Sequence, residues 1–335
     1  MTLYAWGRPR VFPRLPPPEA VYFDTADDAR VLAHCNWQPN RHDAPALLLL
    51  HGLEGSSTAH YMRGIADKAY AAGFNVVRLN QRNCGGTESL SRGLYHSGLT
   101  ADPLFVLRHL ADDIGIREAV VAGYSLGGNL TLKLAGDAGH TPPPGLRAVC
   151  AVSPTMDLAL CVDALERRSN AIYQWNFMRN LRGRMRRKAL LFPDVYDARQ
   201  LAGVWTVRRF DDVFTAPMSG FGTATRYYAE ACSARVVDRI GVPALIVSAR
   251  NDPFVPPEQF ERPAVVGNPH VHVLLTDDGG HCGFVGVPQG DDDGYWAEST
   301  IVRWASAHVD RASLIPPAAR RAGPQTPAPS LRPRA

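Results

Sequence analysis

Six short apolar runs, separated by segments of helical or polar pattern, constrain the fold of this chain most strongly. They are ALLLL (46–50), FNVVRLN (74–80), AVVAGYS (119–125), RAVCAVS (147–153), PALIVSA (243–249) and HVHVLLT (270–276). Short runs that are mostly rich in branched apolar residues are typical of strands buried on both faces, and parallel sheets are built from such strands. The alternation therefore predicts an α/β protein with a doubly wound, mostly parallel sheet.

Helical patterns fill the gaps between these runs. In the segment 58–73, apolar residues recur at helical spacing from Met62 to Ala72, and Gly73 is suited to cap the C-terminus of that helix. Further crossover helices are predicted over 102–113 and 126–136, and an antiparallel hairpin over 21–37.

The strand pattern stops between Thr155 and Val242, where helical and loop patterns continue without a strong strand. We therefore expect a helical cap inserted into an α/β core. The predicted organisation is an N-terminal arm (1–20), a first core segment (21–154), the cap (155–242), a second core segment (243–310) and a disordered tail rich in proline and arginine (311–335). The tail is expected to be disordered because it has too little apolar material to offset the entropy of ordering.

Composition excludes several classes of protein. No apolar run approaches the roughly 20 residues of a membrane-spanning helix, and the N-terminal segment lacks the apolar core of a signal peptide. We therefore expect a cytoplasmic protein. The six cysteines are scattered without a Cys-x-x-Cys pair, so we expect reduced thiols, with neither a disulfide framework nor a metal site.

Charge is distributed unevenly along the chain. The net charge is +4, yet the segment 167–188 carries eight basic residues and no acidic one, and the tail 311–335 carries five more. The remaining body is therefore acidic, which argues against a uniformly basic protein that binds nucleic acid.

A glycine-flanked serine lies where a predicted strand meets a predicted helix. Residues 123–127 read Gly-Tyr-Ser-Leu-Gly and match the Gly-x-Ser-x-Gly pattern, in which a strained turn exposes the serine oxygen. The match alone is weak, because a glycine-rich turn between strand and helix also fits it. Its place at the end of the third run makes Ser125 a candidate nucleophile.

A serine nucleophile needs a base and an acid that orients the base. His281 lies in a glycine-rich loop after the sixth run, and Asp252 follows the fifth run, at a carboxyl end where α/β sites assemble. Asp277 and Asp278 are rival acids, but they lie close before His281 and are expected to belong to its own loop. We therefore predict Ser125, Asp252 and His281 as the catalytic residues.

Two backbone N–H groups are candidates for an oxyanion hole. The first run ends in His51 and Gly52, and Leu53 follows in a loop that can turn inward, while Leu126 directly follows the serine. The N–H groups of Leu53 and Leu126 are predicted to stabilise the developing negative charge. His51 is expected to brace this loop and not to act as a base.

Six segments, in chain order, resemble one known family. They are HGLEGSS (51–57), NQRNCGGTE (80–88), YHSGLTAD (95–102), GYSLGGN (123–129), RNDPF (250–254) and GGHCGF (279–284). Over residues 21–309 the chain resembles the YheT-like branch of the α/β-hydrolase superfamily, which includes bacterial predicted esterases and eukaryotic lipid-acting relatives. The resemblance implies an α/β-hydrolase fold and a serine hydrolase with the same three catalytic residues. Eukaryotic members commonly carry an N-terminal membrane anchor, and we expect none here.

The predicted cap contains a basic amphipathic segment. Its apolar stripe consists of Ile172, Trp175, Met178, Leu181 and Met185, and its neighbouring basic face of Arg179, Arg182 and Arg186. Two interpretations stay open: the stripe packs on the cap's own domain, or it lines an acyl-chain pocket and contacts anionic lipid surfaces. The residues predicted for the substrate pocket are Tyr124, Ile172, Trp175 and Met178.

The segment NCGGTE (83–88) is rich in glycine but lacks the lysine and the spacing of a phosphate-binding loop. We expect it to form a loop at the carboxyl edge of the sheet. Direct contact with substrate is the less favoured interpretation.

These features predict an enzyme that cleaves small-molecule carboxylic esters with medium or longer acyl chains, through an acyl-enzyme intermediate. No cofactor, metal or nucleic-acid partner is expected, and the oligomeric state stays open. Acyl transfer and thioester cleavage use the same residues, and the sequence does not separate them from hydrolysis. The alternative outside the enzymes is a catalytically silent α/β-hydrolase scaffold that acts as a binding protein.

Overall fold

The structure, a computed structural model, describes Gly7 and residues 9–288, 290 and 293–314. The strands are β1 (Glu19–Ala26), β2 (Ala29–Asn36), β3 (Ala46–Leu50), β4 (Asn75–Leu79), β5 (Ala119–Tyr124), β6 (Leu146–Val152), β7 (Ala244–Ala249) and β8 (Val271–Thr276). The α-helices bounded within these residues are α1 (His60–Ala71), α2 (Ala101–Asp112), α3 (Leu126–Ala138), α4 (Leu158–Leu165), α5 (Ala171–Leu191), α6 (Val207–Phe210), α7 (Ala216–Met218), α8 (Ala224–Ala231), α9 (Pro263–Val266) and α10 (Trp296–Ala307). A π-helical turn (Asp211–Thr215) joins α6 to α7, and short 3-10 helices cover Glu88–Leu90, Arg168–Asn170, Ala198–Leu201, Ser233–Arg235, Val237–Arg239, Pro257–Glu261 and Arg311–Leu314.

The eight strands form one sheet in the order β1-β2-β4-β3-β5-β6-β7-β8. β1 and β2 pair antiparallel, as do β2 and β4, and the remaining pairs are parallel. All six apolar runs form strands β3–β8, and the predicted hairpin is β1–β2. The prediction of a doubly wound, mostly parallel sheet is confirmed.

Helices cover both faces of the sheet. Leu48 and Leu50 of β3 enter the core that contains α2 and α3, whereas Leu47 and Leu49 enter the core that contains α1 and α10. Successive side chains of a strand point to opposite faces, so a strand covered on both faces must be apolar throughout. This requirement explains why the run 46–50 shows no alternation.

β8 differs from the other predicted strands in its burial. The sixth run was predicted to be buried on both faces, yet none of the residues of β8 is buried, and Val273 and Leu274 are exposed. β8 is the last strand in the sheet and pairs only with β7. An edge strand has a neighbour on one side only, so the same apolar pattern gives less burial there.

In-register pairing brings the loops after the parallel strands to one edge. Leu50 of β3 pairs with Gly123 of β5, and Ala249 of β7 pairs with Thr276 of β8. The chain therefore leaves these strands at similar levels. This carboxyl edge is where open α/β sheets assemble their sites.

The chain between β6 and β7, residues 153–243, is fully described and contains helices but no strand. α4 contacts α5 and α8, and α5 contacts the 3-10 helix Glu88–Leu90 that follows β4. This helical segment therefore reaches the loops of the carboxyl edge. Its division from the core at residues 155 and 242 stays a prediction.

Residues near both ends of the described chain contact helices of the core. Arg10 donates to Glu298 of α10 at 2.6 Å, and Arg14 donates to Asp67 of α1 at 2.5 Å. Arg311–Leu314 forms a short 3-10 helix, so the predicted disordered tail does not begin at 311. The rest of that predicted tail, 315–335, lies outside the described residues.

A helix long and apolar enough to cross a membrane does not occur among the residues that the structure describes.

Candidate active site

Ser125 forms the turn between β5 and α3. Its backbone adopts φ 55° and ψ −117°, a left-handed conformation that a residue other than glycine adopts only under local constraint. The flanking glycines permit this turn. A Cβ atom on Gly123 would lie 2.1 Å from the carbonyl oxygen of Gly127, and one on Gly127 would lie 2.4 Å from that of Leu50. Any larger residue at either position would therefore displace the serine.

The loop after β3 lies directly beside this turn. A Cβ atom on Gly52 would lie 3.2 Å from Cβ of Ser125, so the two backbones approach closely. Leu126 opens α3, where the first N–H groups have no partner within the helix. Among the described residues, no backbone carbonyl accepts from the N–H of Leu53 or of Leu126. Two backbone donors are thus available on either side of Ser125.

Glu54 fixes the loop that carries Leu53. Its backbone has φ 55°, and its N–H donates to the hydroxyl of Tyr95 at 2.9 Å. That hydroxyl donates in turn to Oε1 of Glu54 at 2.9 Å, and Nε of Arg184 donates to the same oxygen at 2.9 Å. A strained residue is therefore held from two sides, by a tyrosine of the core and an arginine of α5.

Asp252 and His281 form a buried pair at the same edge. Oδ2 of Asp252 lies 2.9 Å from Nδ1 of His281, and Oδ1 accepts from the N–H groups of Phe254 and Val255 at 3.1 and 3.0 Å. The Asp252 side chain is fully buried, and that of His281 is 4% exposed. Each carboxylate oxygen thus has a donor, and the imidazole is held in one orientation.

The electrostatic environment of His281 has two opposing parts. Burial lowers the pKa of the imidazole, because a charged ring is poorly solvated in the interior. The charge of Asp252, the neighbouring Cys282 and the hydrogen bond to Asp252 together outweigh burial and raise the pKa of His281 to about 10. The pair therefore favours a proton on the ring.

The rival acids Asp277 and Asp278 lie away from this pair. The Asp277 side chain is 93% exposed and lies 3.5 Å from Arg250, and Oδ1 of Asp278 accepts from the amide of Asn251 at 2.7 Å. Oδ1 of Asn251 also accepts from the N–H groups of Gly279 and Gly280, at 3.1 and 2.8 Å. Asn251 therefore shapes the loop that carries the histidine, a role that the sequence analysis missed.

His51 is buried behind the loop after β3. Its Nδ1 donates to the carbonyl of Gly52 at 2.8 Å, and its Nε2 accepts from the N–H of Gln81 at 3.1 Å. Burial lowers the pKa of His51 to about 4, so the ring is neutral. Both ring nitrogens are occupied, which fits the expected bracing role.

A narrow, mostly apolar cavity of about 80 Å³ opens beside Ser125, Leu53 and Leu126. Its apolar wall comes mainly from α4 and α5 and includes Leu158, Val162, Leu165, Phe177, Leu181 and Val207. Phe254 also lines the cavity, and its ring lies 4.0 Å from that of His281. The cavity therefore connects the serine with the surroundings of the histidine.

The four residues predicted for the substrate pocket lie outside this cavity. Tyr124 points to the opposite face of β5 and packs with α1 and α10. Ile172 and Trp175 are 59% and 63% exposed, and Met178 is buried in the core without lining the cavity. The residues of α5 that line it are Phe177, Leu181 and Arg184. The apolar residues of α5 surround much of the helix, so spacing alone does not identify which of them line the cavity, and of the predicted stripe Leu181 does.

The three arginines of the predicted basic face of α5 have different surroundings. Arg182 donates to the carbonyls of Leu201 and Val204 at 2.6 and 2.7 Å, and its guanidinium lies 4.1 Å from the ring centre of Trp205. Arg179 and Arg186 are exposed. The three arginines of the predicted basic face therefore do not form one uniform surface.

A family model and the sequences of individual proteins were compared with this chain, and both point to the same family. The family model described as the alpha/beta hydrolase fold matches residues 45–286. The chain is 32% identical over 286 residues to the putative esterase YheT of Escherichia coli K12, covering 83% of this chain and 82% of that protein. It is 29% identical over 270 residues to phospholipase ABHD3 of Mus musculus, covering 78% of this chain and 65% of that protein.

Among solved structures, the esterase Pf2001 of Pyrococcus furiosus has a similar fold. The TM-score is 0.59 at 16% sequence identity, with 87% of this chain and 90% of that chain covered. At this identity the likeness concerns the fold alone.

Proposed function

The chain belongs to the α/β-hydrolase family, in the branch of the putative esterase YheT, and we propose that it is a serine hydrolase that cleaves carboxylic esters. One observation carries the proposal: Ser125 occupies a strained turn between two backbone N–H groups without a backbone acceptor. A serine that merely joined a strand to a helix would need neither the strain nor the donors.

In the proposed reaction, Oγ of Ser125 attacks the acyl carbonyl carbon while His281 takes the hydroxyl proton. The N–H groups of Leu53 and Leu126 stabilise the oxyanion, and loss of one such donor typically lowers the rate by about 10²–10³-fold. The intermediate collapses, the C–O bond to the alcohol breaks, and His281 returns its proton to the leaving oxygen. Water then attacks the acyl-enzyme with His281 as base, releasing the acid and restoring Ser125.

Asp252 orients the imidazole in this scheme. Its bond to Nδ1, at 2.9 Å, assigns Nε2 to the proton transfers with Ser125 and the leaving group. Its negative charge stabilises the imidazolium that forms during each step. Both oxygens of Asp252 accept hydrogen bonds, so the carboxylate keeps its orientation toward the ring through each step.

The narrow apolar cavity supports an unbranched acyl chain of medium or longer length as the acid portion of the substrate. Leu158, Val162 and Leu181 lie on its wall and would contact successive methylene groups. Each buried methylene contributes about 0.8 kcal/mol. The relative phospholipase ABHD3 and the putative esterase YheT are both named for ester-cleaving activities, which agrees with this class.

We also propose that the surface of α5 contacts anionic lipid. Ile172 and Trp175 are the exposed apolar residues of its first turns, and the guanidinium of Arg179 lies 5.9 Å from the ring centre of Trp175. Trp205, 66% exposed, is a further exposed indole, and it lies against Arg182 of α5. Exposed tryptophan beside arginine is suited to the interface between acyl chains and negatively charged headgroups.

Labelling with a fluorophosphonate probe tests the proposed mechanism. We expect a covalent adduct on the peptide that contains Ser125, and hydrolysis of p-nitrophenyl octanoate that the probe abolishes. Absence of both would favour a silent scaffold. If added alcohols yield new esters faster than water yields acid, the enzyme is an acyltransferase.

A further inference from the structure

The N-terminal arm inserts a buried arginine between α1 and α10. The side chain of Arg10 is 5% exposed, and its Nη1 and Nη2 donate to the two carboxylate oxygens of Glu298 at 2.6 and 2.7 Å. Nη2 also donates to Asp293 at 2.9 Å. Residue 64 of α1 is glycine, and a Cβ atom there would lie 2.4 Å from Nη2 of Arg10, so α1 leaves room for the guanidinium. An arm that merely covered the core would not need a buried, paired cation.

The residues that Arg10 contacts lie where the chain from His281 enters α10. The guanidinium carbon lies 3.4 Å from the ring centre of Tyr295, the residue directly before α10. Asp293 accepts from the N–H of Tyr295 at 3.1 Å and from Nζ of Lys68 of α1 at 2.6 Å. Charge-assisted hydrogen bonds and a cation–π contact thus hold the start of α10 against α1.

Backbone hydrogen bonds connect the start of α10 to the loop of the proposed base. The N–H of Trp296, which directly follows Tyr295, donates to the carbonyl of Phe284 at 3.0 Å. The N–H of Phe284 donates in turn to the carbonyl of Gly279 at 3.0 Å and closes the loop that contains His281. Phe284 has φ 43°, a conformation that depends on its surroundings to be maintained. The contacts of the arm are therefore two backbone hydrogen bonds away from the histidine loop.

A small enclosed space joins the contacts of the arm to both catalytic loops. Tyr124, which directly precedes the proposed nucleophile, and Cys282, which directly follows the proposed base, line a cavity of about 10 Å³. Tyr295 and Glu298, two contacts of Arg10, line the same cavity. A space of this size has room for about one water molecule, so its walls are close to one another. A displacement of the residues around Arg10 would therefore reach the neighbours of both catalytic side chains.

From these contacts we infer that Arg10 is a positioning residue for the proposed base. By holding the start of α10 against α1, it fixes the loop in which His281 meets Asp252. The N-terminal arm is thereby part of the framework of the active site, although it lies outside both cores of the sheet. Such a framework matters because the reacting groups must be held within a fraction of an ångström of their productive geometry. The inference rests on the proposed function, since a positioning role requires that His281 acts as the base.

Arg10→Met and Arg14→Met form a matched pair of variants on the arm. Arg14 donates from Nε and Nη2 to Oδ2 of Asp67 at 2.8 and 2.5 Å, so it ties the arm to α1 but not to α10. Each substitution removes a paired guanidinium, so both should lower the melting temperature. In Arg10→Met, Lys68 still donates to Glu298 at 2.7 Å, and the buried carboxylate keeps a cation. We therefore expect both variants to fold.

The two variants should differ in turnover of p-nitrophenyl octanoate. In Arg10→Met we expect kcat/KM to fall about tenfold, mainly through kcat, because misplacing a catalytic group lowers the rate of the chemical step. The acid limb of its pH profile should move to lower pH, since a less closely held Asp252 raises the pKa of His281 less. Arg14→Met should leave kcat and the acid limb unchanged. A general loss of stability reduces the amount of folded enzyme but does not move the limb.

Amide hydrogen exchange gives a readout that does not depend on turnover. The N–H groups of Phe284 and Trp296 should exchange faster in Arg10→Met than in the wild type, and at the wild-type rate in Arg14→Met. If Arg10→Met does not fold, Arg10→Lys takes its place with the same expected directions, because lysine keeps the charge but loses the paired bonds to the carboxylate.

Three outcomes would overturn the positioning role and leave the proposed function standing. They are an acid limb that does not move in Arg10→Met, unchanged exchange at Phe284 and Trp296, and equal losses of kcat in the two methionine variants. Absence of both turnover and fluorophosphonate labelling in the wild type would instead overturn the proposed function, and the positioning role with it.

Discussion

Arg184 of α5 donates from Nε to Oε1 of Glu54 at 2.9 Å, and the two side chains are 3% and 7% exposed. The bond joins the helical segment between β6 and β7 to the loop that holds Leu53. It therefore connects the wall of the apolar cavity to the position of a proposed oxyanion donor. A change in this pair should affect stability and turnover together.

Arg184→Met tests this connection. The substitution keeps much of the side-chain volume but leaves the Glu54 carboxylate buried without its cation, so we expect the free energy of unfolding to fall by about 3–5 kcal/mol. Denaturant unfolding measures this change. The double variant Glu54→Gln/Arg184→Met should recover some of the loss, because no uncompensated charge remains. Equal stability of the single variant and the wild type would contradict a buried, energetically coupled pair.

Ser125→Ala should abolish fluorophosphonate labelling and ester turnover while the far-UV circular dichroism spectrum stays unchanged. His281→Ala should lose nearly as much activity, and the double variant little more, because the residues of such a site act as a unit. Retained turnover in folded Ser125→Ala would remove this serine from the mechanism. Additive losses would indicate separate roles for the two residues.

Asp252→Asn should lower kcat by as much as about 10⁴-fold, because asparagine keeps the shape but orients the imidazole in the wrong tautomer. Asp277→Asn is the matched control, since that side chain is 93% exposed. A larger loss in Asp278→Asn than in Asp252→Asn would show that the acid has been assigned wrongly.

Asp252→Asn should also shift the pH dependence of kcat/KM. The proposed base acts when its ring is neutral, so kcat/KM should fall as the pH decreases through the pKa of His281. Asp252 raises that pKa, so its removal should move the acid limb of the profile to lower pH. If the acid limb stays at the same pH in Asp252→Asn, the limb does not report the protonation of His281.

Acyl-chain length tests the role of the apolar cavity. We expect p-nitrophenyl octanoate to be preferred over the acetate, by up to about fourfold for each methylene that the cavity buries. Val162→Phe, which fills the wall of α4, should reduce the preference, whereas Ala159→Phe on the exposed side of the same helix should not. A preference for acetate in the wild type would argue against an acyl chain in this cavity.

Vesicle sedimentation tests the proposed lipid contact. Trp175→Ser should weaken binding to vesicles that contain phosphatidylserine, because the exposed indole no longer enters the interface. Val11→Ser is the control, since Val11 is 86% exposed on the N-terminal arm. Binding that is equal in the wild type and in Trp175→Ser would exclude this residue from membrane contact. Arg182 is unsuited to such a test, because it holds the carbonyls of Leu201 and Val204.

Several features could be read from local sequence because their cause is local. A strand covered on both faces is mostly apolar on both, which made β3–β7 visible as short runs dominated by apolar residues. The turn at Ser125 requires glycines at 123 and 127, so its pattern is confined to five residues. Since parallel strands end at one edge, the chain order also predicted that the loops of Ser125, Asp252 and His281 would meet there.

Other features depended on segments far apart in the chain. Asp277 and Asp278 are nearer to His281 in sequence, yet the pairing of β7 with β8 brings Asp252 within 2.9 Å of its ring. Arg184 and Glu54 are 130 residues apart, so no local pattern could pair them.

The rotation of α5 about its own axis, which decides which side chains face the cavity, could not be predicted from the sequence either. Apolar residues occur around much of the helix, and only packing against α4 and the core turned Phe177 and Leu181 to the cavity while Ile172 and Trp175 stayed exposed. Local sequence thus determined which strands, helices and turns form, because backbone geometry and burial on a strand act over a few residues. The tertiary structure decided which acid meets the histidine and which face of α5 lines the cavity, because contacts across space depend on how complete elements pack.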